Sequence, residues 1–381
     1  MNSSKSESKN RKQKHICLML ILILFLTLSI SINGCSRKKT SETYDVKILV
    51  LDNCGGDNNT ETPPSGDEVL MLDSKGNILK KISGFQVKDS YHANRAISVS
   101  EDGRFFAVCE EAANKLSIYE TSTGLEYWSA VWPEKSVHSA IFFGNTLYAV
   151  NQTTVMALDL NKKSINEINR FWEGVWLDFA FDKKNDCLWA VGLNVRKYSM
   201  DFKRLLMIGS ILGDKSVAGV FSVDIASDGS VWAAAGDVVQ MDGLENQLLK
   251  ISPDDGNIVK TIKLDICPSC IRVDKSDDSV WITGIKSDKD YKKIVEEWPE
   301  TLTELDEVIE TDVITYTHKY NSNGDRIIES EKGGYSLVID PSDKSAWIAG
   351  HDSIIHFSNT GDIIDEYKNV SKRQKWIALV K

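Results

Sequence analysis

"SDGSVWAAAG" occupies Ser227–Gly236, and close copies follow as "SDDSVWITG" (Ser276–Gly284) and "SDKSAWIAG" (Ser342–Gly350); an upstream cousin reads "KNDCLWAVG" (Lys184–Gly192). Each copy sets a polar turn before a large ring, then small or β-branched residues, then glycine. Aligned on that ring the chain gives Phe106, Tyr148, Trp189, Trp232, Trp281 and Trp347, at spacings of 42, 41, 43, 49 and 66 residues. A period of roughly 40–45 residues marks a β-propeller blade. One unit shows its four strands in order: "GVFSVDIAS" (Gly219–Ser227), "SVWAAA" after the turn, "NQLLKIS" (Asn246–Ser252) and "NIVKTIKL" (Asn257–Leu264). Each run is short, apolar or β-branched, and bounded by Asp, Asn, Gly or Pro.

The same sentence starts at Arg95, Val137, Val175, Gly219, Ser269 and Tyr335, which makes six complete units. Two fragments remain. The first has "VKILVLD", "DEVLMLDS" and "GNILKKIS", three strands without an innermost one; the last is "KWIALV" (Lys375–Val380), a single strand. Three plus one predicts an all-β, seven-bladed propeller over 46–381, closed by both chain ends in one blade, with a six-bladed ring as the alternative. The ring on each second strand fills the wedge between neighbouring sheets, and the small residues beside it permit close packing.

Residues 1–34 stand apart. Lys5, Lys9, Arg11, Lys12 and Lys14 precede the uncharged run Ile16–Ile32, which ends in "INGC" at Cys35. A basic start, an apolar stretch and small residues form an export signal. The tetrapeptide resembles the lipobox of bacterial lipoproteins. That resemblance implies cleavage before Cys35, acylation of its thiol and amine (palmitate among the chains), and a chain held outside the cytoplasm on the cell membrane or outer membrane. Residues 35–45 then serve as lipidated Cys and tether; an uncleaved anchor is the alternative. Losing five basic residues and one acidic one leaves 40 Lys+Arg against 54 Asp+Glu, a formal −14. Nucleic acid is excluded as a general partner, since its recognition needs a basic footprint.

The hairpins "DEVLMLDSKGNILKKI" (Asp67–Ile82) and "NQLLKISPDDGNIVKTI" (Asn246–Ile262) resemble those of NHL-like and gluconolactonase-like (TolB-like) propellers. "TSTGLEYW" (Thr121–Trp128) resembles the docking motif of quinoprotein-type propellers, but occurs once where those families repeat it. Cysteines are too few for a disulfide framework. "CPSC" (Cys267–Cys270) reads as a turn between repeats, bridged or holding free thiols, rather than as a redox site. The loop Asp52–Glu68 lacks the EF-hand order and reads as a surface loop. The unit from Ser269 is overlong: 286–312 carries helical apolar spacing through Tyr291, Ile294, Val295 and Trp298, broken by Pro299, and reads as a helical hairpin on the rim.

Loops leading into the innermost strands and loops joining second to third strands share one face of a propeller. They would gather Arg95, His138, Glu173, Trp176, Arg272, Tyr335 and His351, with Glu110, Asn151, Asn194 and Asp237 nearby, around one mouth. The first functional reading is a monomeric, membrane-anchored propeller that binds a protein or glycan there and needs no cofactor. The second is an enzyme. Gluconolactonase-like propellers polarise a lactone with a divalent metal, which implies calcium or magnesium on Glu173, Asn151, Asn194 and Asp237. Streptogramin-lyase-like propellers use a His and a Glu, which implies His138 and Glu173 as the catalytic pair.

Overall fold

The computed structural model describes residues 42–52, 67–87, 95–131, 137–150, 154–170, 176–209, 219–236, 245–287, 313–350, 353–368 and 374–381. Outside them lie the signal segment, Cys35 and most of the tether, most of the Asp52–Glu68 loop, and residues 288–312 of the insertion. The described residues form seven four-stranded antiparallel sheets and no helix. Blades are numbered in chain order. Blade 1 pairs the innermost strand Gln374–Leu379 with Ile48–Asp52, then Asp67–Leu72, then Ile78–Phe85 outermost. The innermost strands of blades 2 to 7 are Ile97–Val99, Ser139–Phe143, Trp176–Asp182, Gly219–Ile225, Cys267–Val273 and Ser336–Ile339. These pack side by side around a closed ring, with blade 1 between blades 7 and 2. The ring has seven blades, so the six-bladed alternative falls.

The opening phrase has a local cause. The Oδ1 atoms of Asp228, Asp277 and Asp343 accept the backbone N–H of Ser230, Ser279 and Ser345 at 2.7, 2.9 and 2.9 Å. The residue between, Gly229, Asp278 or Lys344, takes a positive φ of 92°, 58° or 63°. A short carboxylate that captures an amide two residues on closes the hairpin and commits the chain to a second strand. The large ring beyond the turn is then fully buried at Phe106, Trp189, Trp232 and Trp281, and nearly so at Trp347; Tyr148 is half-buried.

The core is divided into wedges between blades. One cluster joins Trp189, Val191 and Val195 of blade 4 to Val223, Val231 and Leu249 of blade 5. The next joins Trp232 and Leu248 of blade 5 to Ile271, Val280 and Ile282 of blade 6. Three blades add a polar clip. Lys197, Lys250 and Lys319, each opposite its blade's Trp on the third strand, hold their ammonium groups 5.6, 5.3 and 4.9 Å from the Trp189, Trp232 and Trp281 rings. Each also donates to a backbone carbonyl of the next blade: Pro253 at 2.7 Å, Ser322 at 3.5 Å and Asn359 at 3.0 Å. The cation sits on the ring's negative face and still satisfies a donor, which is how a lysine tolerates such a site.

Two sequence expectations change. "CPSC" is not a turn but the opening of blade 6's innermost strand, and both cysteines are buried and not disulfide-bonded. Residues 286 and 287, assigned to the insertion, belong to strand: Val280–Ser287 pairs Val313–Tyr320 with Ser287 opposite Val313.

Candidate functional site

The innermost strands of blades 4, 5 and 6 each carry a bulge near their start, at Leu177, Phe221 and Ser269. A bulge adds one unpaired residue and re-aims the side chain after it. The side chains so re-aimed are Asp178, Ser222 and Cys270, all fully buried. The Asp178 carboxylate is held from five directions. Oδ1 accepts from Arg95 Nε at 2.7 Å and from its neighbour Phe179 N–H at 2.9 Å. Oδ2 accepts from Ser222 Oγ at 2.8 Å and Val223 N–H at 3.1 Å, and lies 3.6 Å from Arg272 Nη1. Ser222 Oγ in turn accepts the Ile271 N–H at 3.2 Å. This polar belt joins blades 2, 4, 5 and 6 across the centre of the ring.

A second pair stands beside it. Asp224 Oδ2 accepts the Val273 N–H at 2.8 Å, and Oδ1 meets Lys275 Nζ at 3.1 Å. Burial by itself would raise the Asp224 pKa; the charges of Lys275 and Arg272 and the Val273 bond outweigh it and hold the carboxyl below its usual range. Burial likewise works against the Arg272 charge, and the facing carboxylates of Asp178 and Asp224 offset it, so its pKa lies above the ordinary value. The Cys270 thiol is pushed up by burial, which leaves it a poor nucleophile.

These groups border a cavity of about 340 Å³ whose wall includes Arg95, Asp224, Arg272, Lys275, Val338 and Ile377. Lys275 and Pro341 come just after innermost strands and Lys381 ends the chain, so the cavity reaches toward the face of the first-to-second strand hairpins. That is the face opposite the expected mouth.

The candidate residues do not all converge. Arg95 and Arg272 come together, inside the ring and mostly covered, through Asp178. His138 is buried just ahead of blade 3's innermost strand, and its backbone N–H donates to Val150 O at 3.3 Å. Asn194 sits in the tight turn between Cys187–Gly192 and Val195–Ser199, where its carbonyl accepts the Gly192 N–H. Tyr335 is half-buried ahead of blade 7's innermost strand. Trp176 opens blade 4's innermost strand. Glu110 is buried, accepting from Ser117 Oγ and pairing with Lys115 at 3.3 Å. Glu173, Asn151, Asp237 and His351 lie outside the described residues. Asp178 and Asp224 escape sequence reasoning, though each is a carboxylate flanked by apolar residues inside an innermost strand, in "WLDFAFD" and "FSVDIA".

No protein-family model matches the chain, and no curated protein matches it. Solved structures do. A putative 6-phosphogluconolactonase from Bacteroides fragilis is similar over 88% of this chain and 99% of its own, with a TM-score of 0.58 and 12% identity. Hydrazine synthase of Kuenenia stuttgartiensis is similar over 75% of this chain and 90% of its own, with a TM-score of 0.55 and 12% identity. At that identity the likeness is one of fold.

Proposed function

We propose that this chain is a lipid-anchored, extracytoplasmic propeller of NHL-like type that binds a protein or glycan partner at the mouth of its channel. The observation that supports binding over catalysis is the state of the described central charges. Arg95 and Arg272 share Asp178, and Asp224 is matched by Lys275. Each is engaged in holding blades together, which rigidifies a platform for the loops above. In this reading Cys35 carries the lipid, and Trp176 and Tyr335 contact the partner with His351, aromatic groups supplying most of the binding energy.

The fold shared with a putative 6-phosphogluconolactonase keeps a lactonase-like reading in view. There Glu173, Asn151, Asn194 and Asp237 would hold calcium or magnesium, and His138 would serve with Glu173. The two readings separate on the full chain in detergent. Binding predicts that Trp176→Ala and Tyr335→Ala weaken capture of envelope glycans or proteins by about tenfold or more, while Glu173→Gln leaves it unchanged. Stoichiometric calcium or magnesium, with lactone hydrolysis lost in Glu173→Gln and kept in Trp176→Ala, overturns binding in favour of catalysis. Loss of lipid labelling in Cys35→Ala supports the anchor; persistent labelling removes it.

A further inference from the structure

His318 sits on the third strand of blade 6, fully buried, between the rings of Tyr316 and Tyr320 at 6.2 Å each. Neither ring nitrogen has a hydrogen-bond partner among the described residues. A buried imidazole carries one donor and one acceptor, and leaving both unmatched is costly. Its Nδ1 lies 3.8 Å from Asp265 Oδ1. Asp265 belongs to the connection from the outer strand of blade 5 to the innermost strand of blade 6. Glu329, on the outer strand of blade 6, is directly opposite His318 in register. One ligand atom from each of the three falls within 4.8 Å of the others.

We propose that Asp265, His318 and Glu329 form a zinc site that ties blade 6 to the connection leading out of blade 5. One imidazole nitrogen and two carboxylate oxygens, completed by water, suit a borderline cation of tetrahedral preference. The geometry needs little adjustment: both carboxylates are near half exposed, so they can rotate inward onto an ion anchored by the buried imidazole. Burial lowers the His318 pKa, against the pull of Asp265 and Glu329 and with the help of Arg326 and Lys286. One positive charge already marks the place. Arg326 Nη1 lies 3.0 Å from Asp265 Oδ1, and Nη2 lies 3.1 Å from Glu329 Oε2. Its side chain is 37% exposed, so it has a route to solvent when a divalent ion takes over both carboxylates. The site draws on none of the residues invoked in the functional reading above, and its fate is independent of that reading.

The test uses the full chain in detergent, stripped with a chelator and titrated with Zn²⁺ against a chromophoric competitor, with Co²⁺ absorption and thermal melting as parallel readouts. One equivalent of zinc is expected, with a cobalt spectrum of low coordination number and a melting point raised by the metal. Asp265→Asn and Glu329→Gln, both at exposed positions, should each weaken binding about tenfold or more and cancel the thermal shift. Arg326→Gln should tighten binding by removing the competing charge. His318→Gln should abolish the cobalt spectrum; because that variant disturbs a buried position, the two carboxylate variants carry the decision. Failure of the wild-type chain to bind zinc overturns the proposal. So does binding that Asp265→Asn and Glu329→Gln leave unchanged, which would mean an adventitious ion only.

Discussion

Trp232 and Trp281 occupy equivalent places on neighbouring second strands, and each is fully buried with its indole N–H unpaired. Ring volume, rather than the donor, is therefore what the wedge needs; blade 2 fills the same place with Phe106. Trp232→Ala and Trp281→Ala should each cost about 3–5 kcal/mol, the range for removing a large buried aromatic. Trp232→Phe, which gives up only part of the ring volume, should cost clearly less than Trp232→Ala. Chemical denaturation of the three variants checks this, and equal losses for Ala and Phe would show that the indole nitrogen matters after all. These rings are legible in the sequence because the repeat displays them six times against the same turn. Asp178 is not. An Asp within an innermost strand reads like any outward-facing polar residue, and only the ring brings Arg95, 83 positions away, onto it. The same holds for His318, whose partners come from a connection and an outer strand that no local pattern relates.

The hairpin joining third to outer strand shows what one element can and cannot announce. All seven carry a left-handed residue at the same point: Gly76, Gly124, Lys163, Phe202, Gly256, Gly324 and Gly361. The turn chemistry "SKGN", "PDDGN" and "SNGD" makes these hairpins legible, since Gly after Asp, Lys or Asn signals a tight reversal. Their second role, touching the preceding blade, is tertiary and invisible locally. At Gly76, with φ of 74°, an added Cβ would fall 2.4 Å from the Tyr367 ring of blade 7. At Gly144, with φ of 57°, it would meet nothing within 4 Å. Gly144→Ala should thus cost only the left-handed strain, about 1–2 kcal/mol. Gly76→Ala should add overpacking of about 1–3 kcal/mol at the blade 7–blade 1 seam. Matched melts of the two variants decide it; similar losses would mean Tyr367 moves aside freely. "CPSC" goes the other way: its Pro and spacing suggest a turn, but the Pro sits at a bulge near a strand start, where its missing N–H is tolerated.

For the whole molecule, everything depends on closing the ring between chain ends more than 300 residues apart. The count of blades is legible because three strands at one end and one at the other complete a single sheet. The inner set pairs Ile48 with Leu379, Leu49 with Ala378, Val50 with Ile377 and Leu51 with Trp376. Trp376, Ile377 and Ala378 are all buried, and the Val380 N–H donates to Lys47 O at 2.8 Å. Lys47 also bridges to Asp340 of blade 7 at 2.8 Å, so the seam is fastened on both sides. Removing residues 374–381 would expose the edge of Ile48–Asp52 and open the wedges on both flanks of blade 1. Each large apolar side chain taken out of burial forfeits about 1.5–3 kcal/mol, and Trp376, Ile377 and their uncovered neighbours together approach the roughly 5–15 kcal/mol that keeps a typical domain folded. The truncated chain should therefore lose its cooperative melt or fall by far more than the deletion of Lys381 alone. Calorimetry of the two truncations side by side makes the comparison. A 374–381 deletion that melts within a degree or two of the intact protein would mean that six blades hold the ring without the seventh's innermost strand, and that the chain ends do not close it.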